Sequence, residues 1–199
     1  MGKAWIKDRK KDPYYRAAKR EKFRSRASFK LLQIQEKFRI IDEGFKVLDL
    51  GASPGGWSQV VRNLVGERGE VYAVDIVRMA PIERVEFLRG DLRDPSFVEE
   101  IIKKSGSVDV VLSDMAPKLS GTKSYDQARV MELASIALDM AVRCLKVGGN
   151  FVSKAFRGID FDDFLRKVSG HFEMTKVYTP PASTKGSAEV YIVGKNFRR

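Results

Sequence analysis

The sequence predicts an α/β domain with a seven-stranded, mostly parallel sheet, a C-terminal antiparallel hairpin and helices on both faces. Three observations carry this. From residue 46 onward, short apolar runs alternate with amphipathic stretches of helical period, the pattern of strands joined by crossover helices. Val47–Leu50 runs into the turn Gly51-Ala-Ser-Pro-Gly-Gly56 and then a helix, which brings backbone amides to a ligand because glycine has no Cβ. The last two apolar runs are separated only by Thr179–Ser187, and strands joined without a crossover are most easily antiparallel neighbours.

The elements follow in order. Ala27 to Phe38 reads as a helix, with Leu31, Ile34 and Phe38 at helical spacing. Strands are expected at 46–50, 70–75, 85–89, 108–113, 149–155, 172–178 and 188–194, and helices at 57–65, 96–104, 126–145 and 160–169. The helix at 126–145 is the clearest, with Val130, Leu133, Ala134, Ala137, Leu138, Ala141, Val142 and Leu145 in one apolar stripe. Asp160 is placed to cap the next helix, whose stripe is Phe161, Phe164, Leu165 and Val168.

Composition narrows the class. A chain of 199 residues, 43% hydrophobic and 32% charged, suits one domain spanning 1–199. No apolar run approaches the ~20 residues of a membrane helix, and the N-terminus lacks a signal-peptide apolar segment, so a cytoplasmic protein is expected. Cys144 and His171 are single; no internal disulfide and no Cys/His metal site can be built from them, and both read as packing or surface residues. The charge is concentrated. Residues 1–30 hold twelve Lys or Arg against three acidic residues, a net of +9 of the total +11, leaving +2 for the rest. Trp5, Tyr14, Tyr15, Phe23 and Phe29 lie among these charges. Basic side chains attract phosphates and aromatic rings stack on unpaired bases, so residues 1–26 read as an RNA-binding extension; a solvated tail is the bland alternative.

The cofactor pocket is expected beyond the carboxyl ends of the strands, where strand order reverses. Asp75 ends the second strand, 20 residues after Gly55, at the spacing of a carboxylate that accepts from ribose hydroxyls. Asp91 follows the third strand and is placed for an exocyclic amine. Each aspartate alone is readily a turn or cap residue; their recurrence at successive strand ends argues for a site. The turn is not Gly-x-Gly-x-x-Gly, no P-loop motif occurs, and Pro54 removes an amide that a pyrophosphate would use. An adenosine cofactor without a pyrophosphate fits best, with S-adenosylmethionine the main candidate.

Four polar residues point to chemistry: Lys30 on the N-terminal helix, Asp114 after the fourth strand, Lys154 in the fifth and Glu189 opening the last. An ammonium inside an apolar strand is costly unless paired. The alternative for Lys154 is a solvent-facing lysine on an edge strand.

With Ser25-Arg-Ala-Ser-Phe-Lys30, Asp49-Leu-Gly-Ala-Ser-Pro-Gly-Gly-Trp57, Ser113-Asp-Met-Ala-Pro117 and Ser187-Ala-Glu189, the chain closely resembles the FtsJ-type (heat-shock) ribosomal RNA large-subunit uridine 2′-O-methyltransferases over nearly its whole length. Ser53 stands where such proteins often carry alanine. The resemblance implies a Rossmann-like class I methyltransferase fold, a catalytic set of Lys30, Asp114, Lys154 and Glu189, and S-adenosylmethionine contacts at Gly55, Trp57, Asp75, Asp91 and Asp114. It implies ribosomal RNA within the large subunit as partner; a monomeric enzyme without a metal is expected. A free lysine is mostly protonated at neutral pH. Lys154 therefore acts as base only where burial and cationic neighbours outweigh Asp114 and Glu189; otherwise it orients the 2′-hydroxyl and stabilises the alkoxide. Other readings stay open on the residues: a transfer-RNA anticodon-loop 2′-O-methyltransferase, a catalytically inactive rRNA-binding assembly factor, and, far behind, a nicotinamide oxidoreductase. The segment Met115–Tyr125 is expected as a loop by the site, with Lys118 and Lys123 able to meet phosphate.

Overall fold

The computed structural model describes residues 12–118, 120–184 and 186–199. Trp5 and the first five of the basic residues counted above lie outside them, as does the side chain of Lys123. The elements are α1 (Pro13–Arg20), α2 (Ser28–Phe38), β1 (Lys46–Leu50), α3 (Gly56–Val65), β2 (Glu70–Asp75), β3 (Val85–Arg89), α4 (Pro95–Ser105), β4 (Val108–Ser113), α5 (Lys123–Cys144), β5 (Leu145–Phe156), α6 (Phe161–His171), β6 (Phe172–Tyr178) and β7 (Glu189–Phe197). The sheet order is β3-β2-β1-β4-β5-β7-β6. β1 pairs in parallel with both β2 and β4, so the order reverses at β1/β4, directly above the glycine turn. β7 is antiparallel to both β5 and β6. The expected C-terminal hairpin is present, and its second strand is inserted between β5 and the first.

Side-chain alternation divides the core into two layers, one on each face of the sheet. Leu48, Leu50, Tyr72, Val74 and Phe151 pack with α4, α5 and α6. Val47, Val71, Val110, Val152 and Tyr191 pack with α2 and α3. Phe172 anchors the sheet's end, stacked on Phe151 at 5.8 Å and tilted against Phe197 at 5.5 Å; such pairs add about 1 kcal/mol each beyond their buried area.

Several expectations are corrected. Helix α1 was not expected: its sequence, Pro-Tyr-Tyr-Arg-Ala-Ala-Lys-Arg, has no wide apolar stripe and buries only Ala18. Capping and docking compensate. Asp12 accepts from the amides of Tyr14 and Tyr15 (2.9 and 3.3 Å) and pairs with Arg26, while Tyr14 and Phe23 pack on Phe29, both at 5.6 Å. Helix α5 starts at Lys123 rather than 126, so Tyr125 is helical. It ends at Cys144, and Leu145 opens β5, pairing with Val108 before an irregularity that includes Gly148 (φ +83°); the ladder resumes at Asn150, one residue after the expected start of the strand at 149. Val142 is exposed, and Met131 and Met140 are buried on that helix instead. β7 runs on to Phe197. Asp160 sits at the start of α6, but its side chain makes no capping bond. Helix α6 runs two residues past its expected end, to His171, and the remaining boundaries agree to within a residue.

Among the described residues no helix is long and apolar enough to cross a membrane, and no cluster of His, Cys, Asp and Glu has the makings of a metal site. Cys144 is buried near the Met140 sulfur (3.6 Å), and desolvation pushes its thiol up to about 11, which leaves it an inert packing residue. His171 stacks on Phe197.

Candidate active site

The glycine turn owes its shape to two positions. Gly51 has φ +75°, and a Cβ there would lie 2.9 Å from the Met115 Cα; Gly55 has φ +104° and stands at the N-cap of α3. Gly51 thus lets the β1 turn touch the residue after Asp114. Backbone bonds from Gly51 and Ala52 to the Val74 carbonyl (2.9 and 3.1 Å) hold the turn to β2. No side chain caps α3, so its first-turn amides face the space beyond the strand ends, where an anionic group is favoured.

Three carboxylates frame this space. Asp75 is locked by two amides, Ser53 to Oδ2 (2.9 Å) and Val77 to Oδ1 (2.7 Å); its remaining lone pairs are those available to hydroxyls. Asp91 is held by Arg93, through the backbone amide (3.0 Å) and a forked guanidinium contact (3.0, 3.2 and 2.7 Å), which holds its carboxyl below the usual range. Asp49, in the turn motif but not among the expected contacts, is fully buried. Its Oδ2 accepts from Ser58 Oγ at 2.6 Å, while Oδ1 has no partner. Desolvation dominates and pushes Asp49 up to about 7, Ser58 opposing, with Asp114 and Asp75 adding repulsion. A buried carboxylate oxygen without a donor, beside free amides and fixed acceptors, fits a cofactor that carries both an ammonium and a carboxylate. Trp57 cannot offer its ring: the indole N–H donates to the Ala27 carbonyl at 2.8 Å and the ring packs on Tyr191. Its backbone amide, in the first turn of α3, is what faces the pocket.

Arg24 ties the N-terminal segment to this pocket. Its guanidinium donates to the carbonyls of Pro54 (3.3 Å), Ala80 and Pro81 (2.7 Å), bridging the glycine turn and the loop after β2. Nothing in the local sequence marks this role, because the contacts span 30 to 57 positions.

The structure brings the four expected catalytic residues together. Lys30 reaches from α2 to Glu189 Oε1 at 2.6 Å. Lys154, from β5, lies 2.7 Å from Asp114 Oδ1 and 3.9 Å from Glu189 Oε2, and it donates to the Asp114 carbonyl at 3.0 Å. β5 is interior, between β4 and β7, so the edge-strand alternative for Lys154 does not hold. All four side chains are no more than 16% exposed. A fifth group was missed by sequence reasoning. Tyr191 donates to Asp114 Oδ1 at 2.6 Å and accepts from Lys30 Nζ at 3.4 Å. Its place two residues after Glu189, hence on the same strand face, is the signal that could have found it. Burial alone would raise Asp114, but Lys154 and Lys30 outweigh it and hold the carboxyl below the usual range. Burial, Asp114 and Glu189 raise Tyr191 well above its ordinary value, so it stays a neutral donor. Buried ion pairs seldom stabilise a fold relative to apolar packing. Two of them joined by a phenol at the open end of a sheet therefore mark a functional site.

A doubly wound sheet with this strand order, an inserted antiparallel last strand, and a cofactor turn after β1 define a Rossmann-like methyltransferase. A model of the FtsJ-like methyltransferase family matches residues 23–197. A Methanothermobacter thermautotrophicus protein named ribosomal RNA large subunit methyltransferase E is 47% identical over 201 residues, covering 100% of this chain and 95% of that one. A protein of the same name from Methanoregula boonei is 48% identical over 198 residues, covering both chains fully (100% and 100%). A crystal structure from Plasmodium falciparum, described as a ribosomal RNA methyltransferase, superposes with a TM-score of 0.76 at 25% identity, over 88% of this chain and 98% of that one. The chain belongs to the FtsJ-like methyltransferase family. It is an enzyme, and its cofactor is S-adenosylmethionine.

Proposed function

We propose that the protein methylates a ribose 2′-hydroxyl, that of a uridine, in large-subunit ribosomal RNA. The observation that carries the reading is the buried Lys154 side chain, its Nζ held by Asp114 and Glu189 beside the cofactor turn. Bound S-adenosylmethionine supplies a methyl group on a cationic sulfur. The first-turn amides of α3 and Asp49 receive its amino-acid end, Asp75 its ribose and Asp91 its adenine, with Gly55 and the Trp57 amide shaping the entry.

Lys154 meets the acceptor hydroxyl. A neutral Nζ takes the hydroxyl proton as the oxygen attacks the methyl group; a charged Nζ instead donates to the oxygen as negative charge develops, the proton leaving to solvent, and in either state the carboxylates of Asp114 and Glu189 fix its direction. Lys30 holds Glu189 in place and adds positive charge, while Tyr191 keeps Asp114 aimed at Lys154. Little covalent chemistry falls to the protein, so positioning supplies much of the rate.

The 2′-hydroxyl restricts the acceptor to RNA, and the basic, aromatic residues 1–26 serve as its binding extension on a single domain spanning 1–199. An open groove along α1 is lined in part by Tyr14, Arg16 and Arg20, with Phe29 of α2 at its side. The names of the relatives favour ribosomal over transfer RNA. The protein acts as a monomer in the cytoplasm. Methyl transfer to purified large ribosomal subunits, compared with bulk transfer RNA, tests the reading: preference for the subunits supports it, and preference for transfer RNA overturns it.

A further inference from the structure

We propose that Arg24, although it belongs to the basic N-terminal extension, is a positioning residue for S-adenosylmethionine and leaves phosphate binding to other arginines of that extension. The proposal rests on reading the glycine turn and Asp75 as the cofactor site, and it divides the extension between two ligands.

The backbone first fixes where Arg24 points. The chain turns sharply after α1: the Phe23 amide donates to the Ala18 carbonyl at 2.8 Å, and Lys22 takes a left-handed φ of +59°. Gln59 of α3 then grips both flanks. Its Oε1 accepts from the Arg24 amide at 2.8 Å, and its Nε2 donates to the Lys22 carbonyl at 3.4 Å. Further on, the Ala27 carbonyl accepts from the Trp57 indole, and Ser28 Oγ donates to the Gly56 carbonyl at 3.0 Å. Residues 22–28 are thereby laid along the start of α3, the helix that the glycine turn opens.

From that seat the guanidinium crosses the turn. A Cβ at Gly55 would stand 3.0 Å from Arg24 Nη1 and 3.1 Å from its Cδ, so the side chain runs directly over bare backbone. Nη1 donates to the Pro54 carbonyl at 3.3 Å and to that of Ala80, and Nη2 donates to that of Pro81 at 2.7 Å. Pro54 belongs to the glycine turn, whereas Ala80 and Pro81 belong to the loop that follows Asp75. Among the described residues, every hydrogen bond that reaches residues 78–81 comes from Arg24. The nearest ties on either side are the Val77 amide on Asp75 (2.7 Å) and the Val85 amide on the Ile82 carbonyl (3.1 Å).

This placement gives Arg24 its effect on the cofactor. Asp75 is held between the same two walls, by the amides of Ser53 and Val77. A loop fixed only at its ends must be ordered by the ligand, and that cost is subtracted from affinity; a loop already fixed avoids it. Three carbonyls on two loops need the planar fork of a guanidinium, which a compact ammonium does not reproduce. Arg16 and Arg20 are placed differently. They line the open groove on α1, where Arg20 has the exposed Glu21 beside it at 3.5 Å, and their donors remain for phosphate.

The test compares Arg24→Ala and Arg24→Lys with R16A/R20A and with Asp75→Ala, using thermal melting as the folding control. Two readouts need no methyl transfer: the S-adenosylmethionine Kd by calorimetry, and the salt dependence of binding to a single-stranded, uridine-rich oligoribonucleotide. Both Arg24 variants should raise the cofactor Kd about tenfold or more, with the salt slope unchanged. In turnover, KM for S-adenosylmethionine should rise while kcat at saturating cofactor stays. R16A/R20A should flatten the salt slope by about 1 to 2 and leave the cofactor Kd unchanged. An unchanged Kd in folded Arg24→Ala overturns the proposal. So does a Kd preserved by Arg24→Lys, which assigns the effect to charge and not to the bridge. A salt slope flattened by about 1 in Arg24→Ala makes Arg24 a phosphate contact and overturns it as well. An unchanged Kd in Asp75→Ala would instead defeat the placement of the cofactor, while the Arg24 variants still decide this proposal.

Discussion

The Tyr191 hydroxyl lies 2.6 Å from Asp114 Oδ1 and 3.4 Å from Lys30 Nζ, and so joins two ion pairs into one buried network. Tyr191→Phe keeps the ring packing on Trp57 and removes only this link. A hydrogen bond to a charged group contributes about 1.5–3 kcal/mol, so kcat should fall about 10- to 100-fold with S-adenosylmethionine affinity unchanged. Steady-state kinetics with cofactor-binding calorimetry check this; an unchanged kcat would remove Tyr191 from the mechanism.

Lys154→Met should abolish methyl transfer while cofactor binding persists. It also leaves the Asp114 carboxylate buried with one fewer cation. Asp114 is held low in the folded state, so it contributes stability above its ordinary pKa near 3.8 that is lost as pH falls through the depressed value. The variant should therefore be less stable than the wild type near neutral pH and lose less of its stability on acidification, as followed by circular dichroism.

Asp49 gives the opposite sign. Its carboxyl is pushed from 3.8 up to about 7, so the folded state binds the extra proton, and stability falls as pH rises from about 4 to about 7. The whole effect is at most about 4 kcal/mol. Asp49→Asn should flatten this part of the stability profile. An ammonium bound near Asp49 favours its ionised form, so S-adenosylmethionine affinity should rise as pH passes through about 7 in the wild type and lose that rise in the variant. Denaturation and binding titrations across pH 5–8 check both.

Gly51→Ala puts a Cβ 2.9 Å from the Met115 Cα at a residue with φ +75°. The strain is about 1–3 kcal/mol, and relief moves the backbone that carries Asp114. Both cofactor affinity and kcat should drop, whereas a change confined to the melting temperature would show that the turn and Asp114 are uncoupled.

The parts of the fold legible from sequence were those with one dominant local signal. Val47–Leu50 and Val108–Ser113 are continuous apolar runs, and the loop 179–187 lacks any crossover. Lys154 stood out because a cation inside an apolar run needs a partner. Helix α1 was hidden because it is held by Asp12 and by packing on Phe29 rather than by its own stripe. Leu145 continues the apolar period of α5, and only the pairing with Val108 makes it a strand residue. Tyr191 reads as an ordinary strand aromatic until Asp114, 77 positions away, is placed beside it. Arg24 and Asp49 were missed for the same reason: their partners are tertiary.

The central claim is the acceptor, and mass mapping of 2′-O-methyl groups in ribosomal RNA from cells with and without the protein tests it most directly. The account predicts that one ribose methyl, on a uridine of the large-subunit RNA, disappears without the protein and returns with the wild type but not with Lys154→Met. An unchanged ribosomal methylation map, with a methyl group lost from transfer RNA instead, would contradict it.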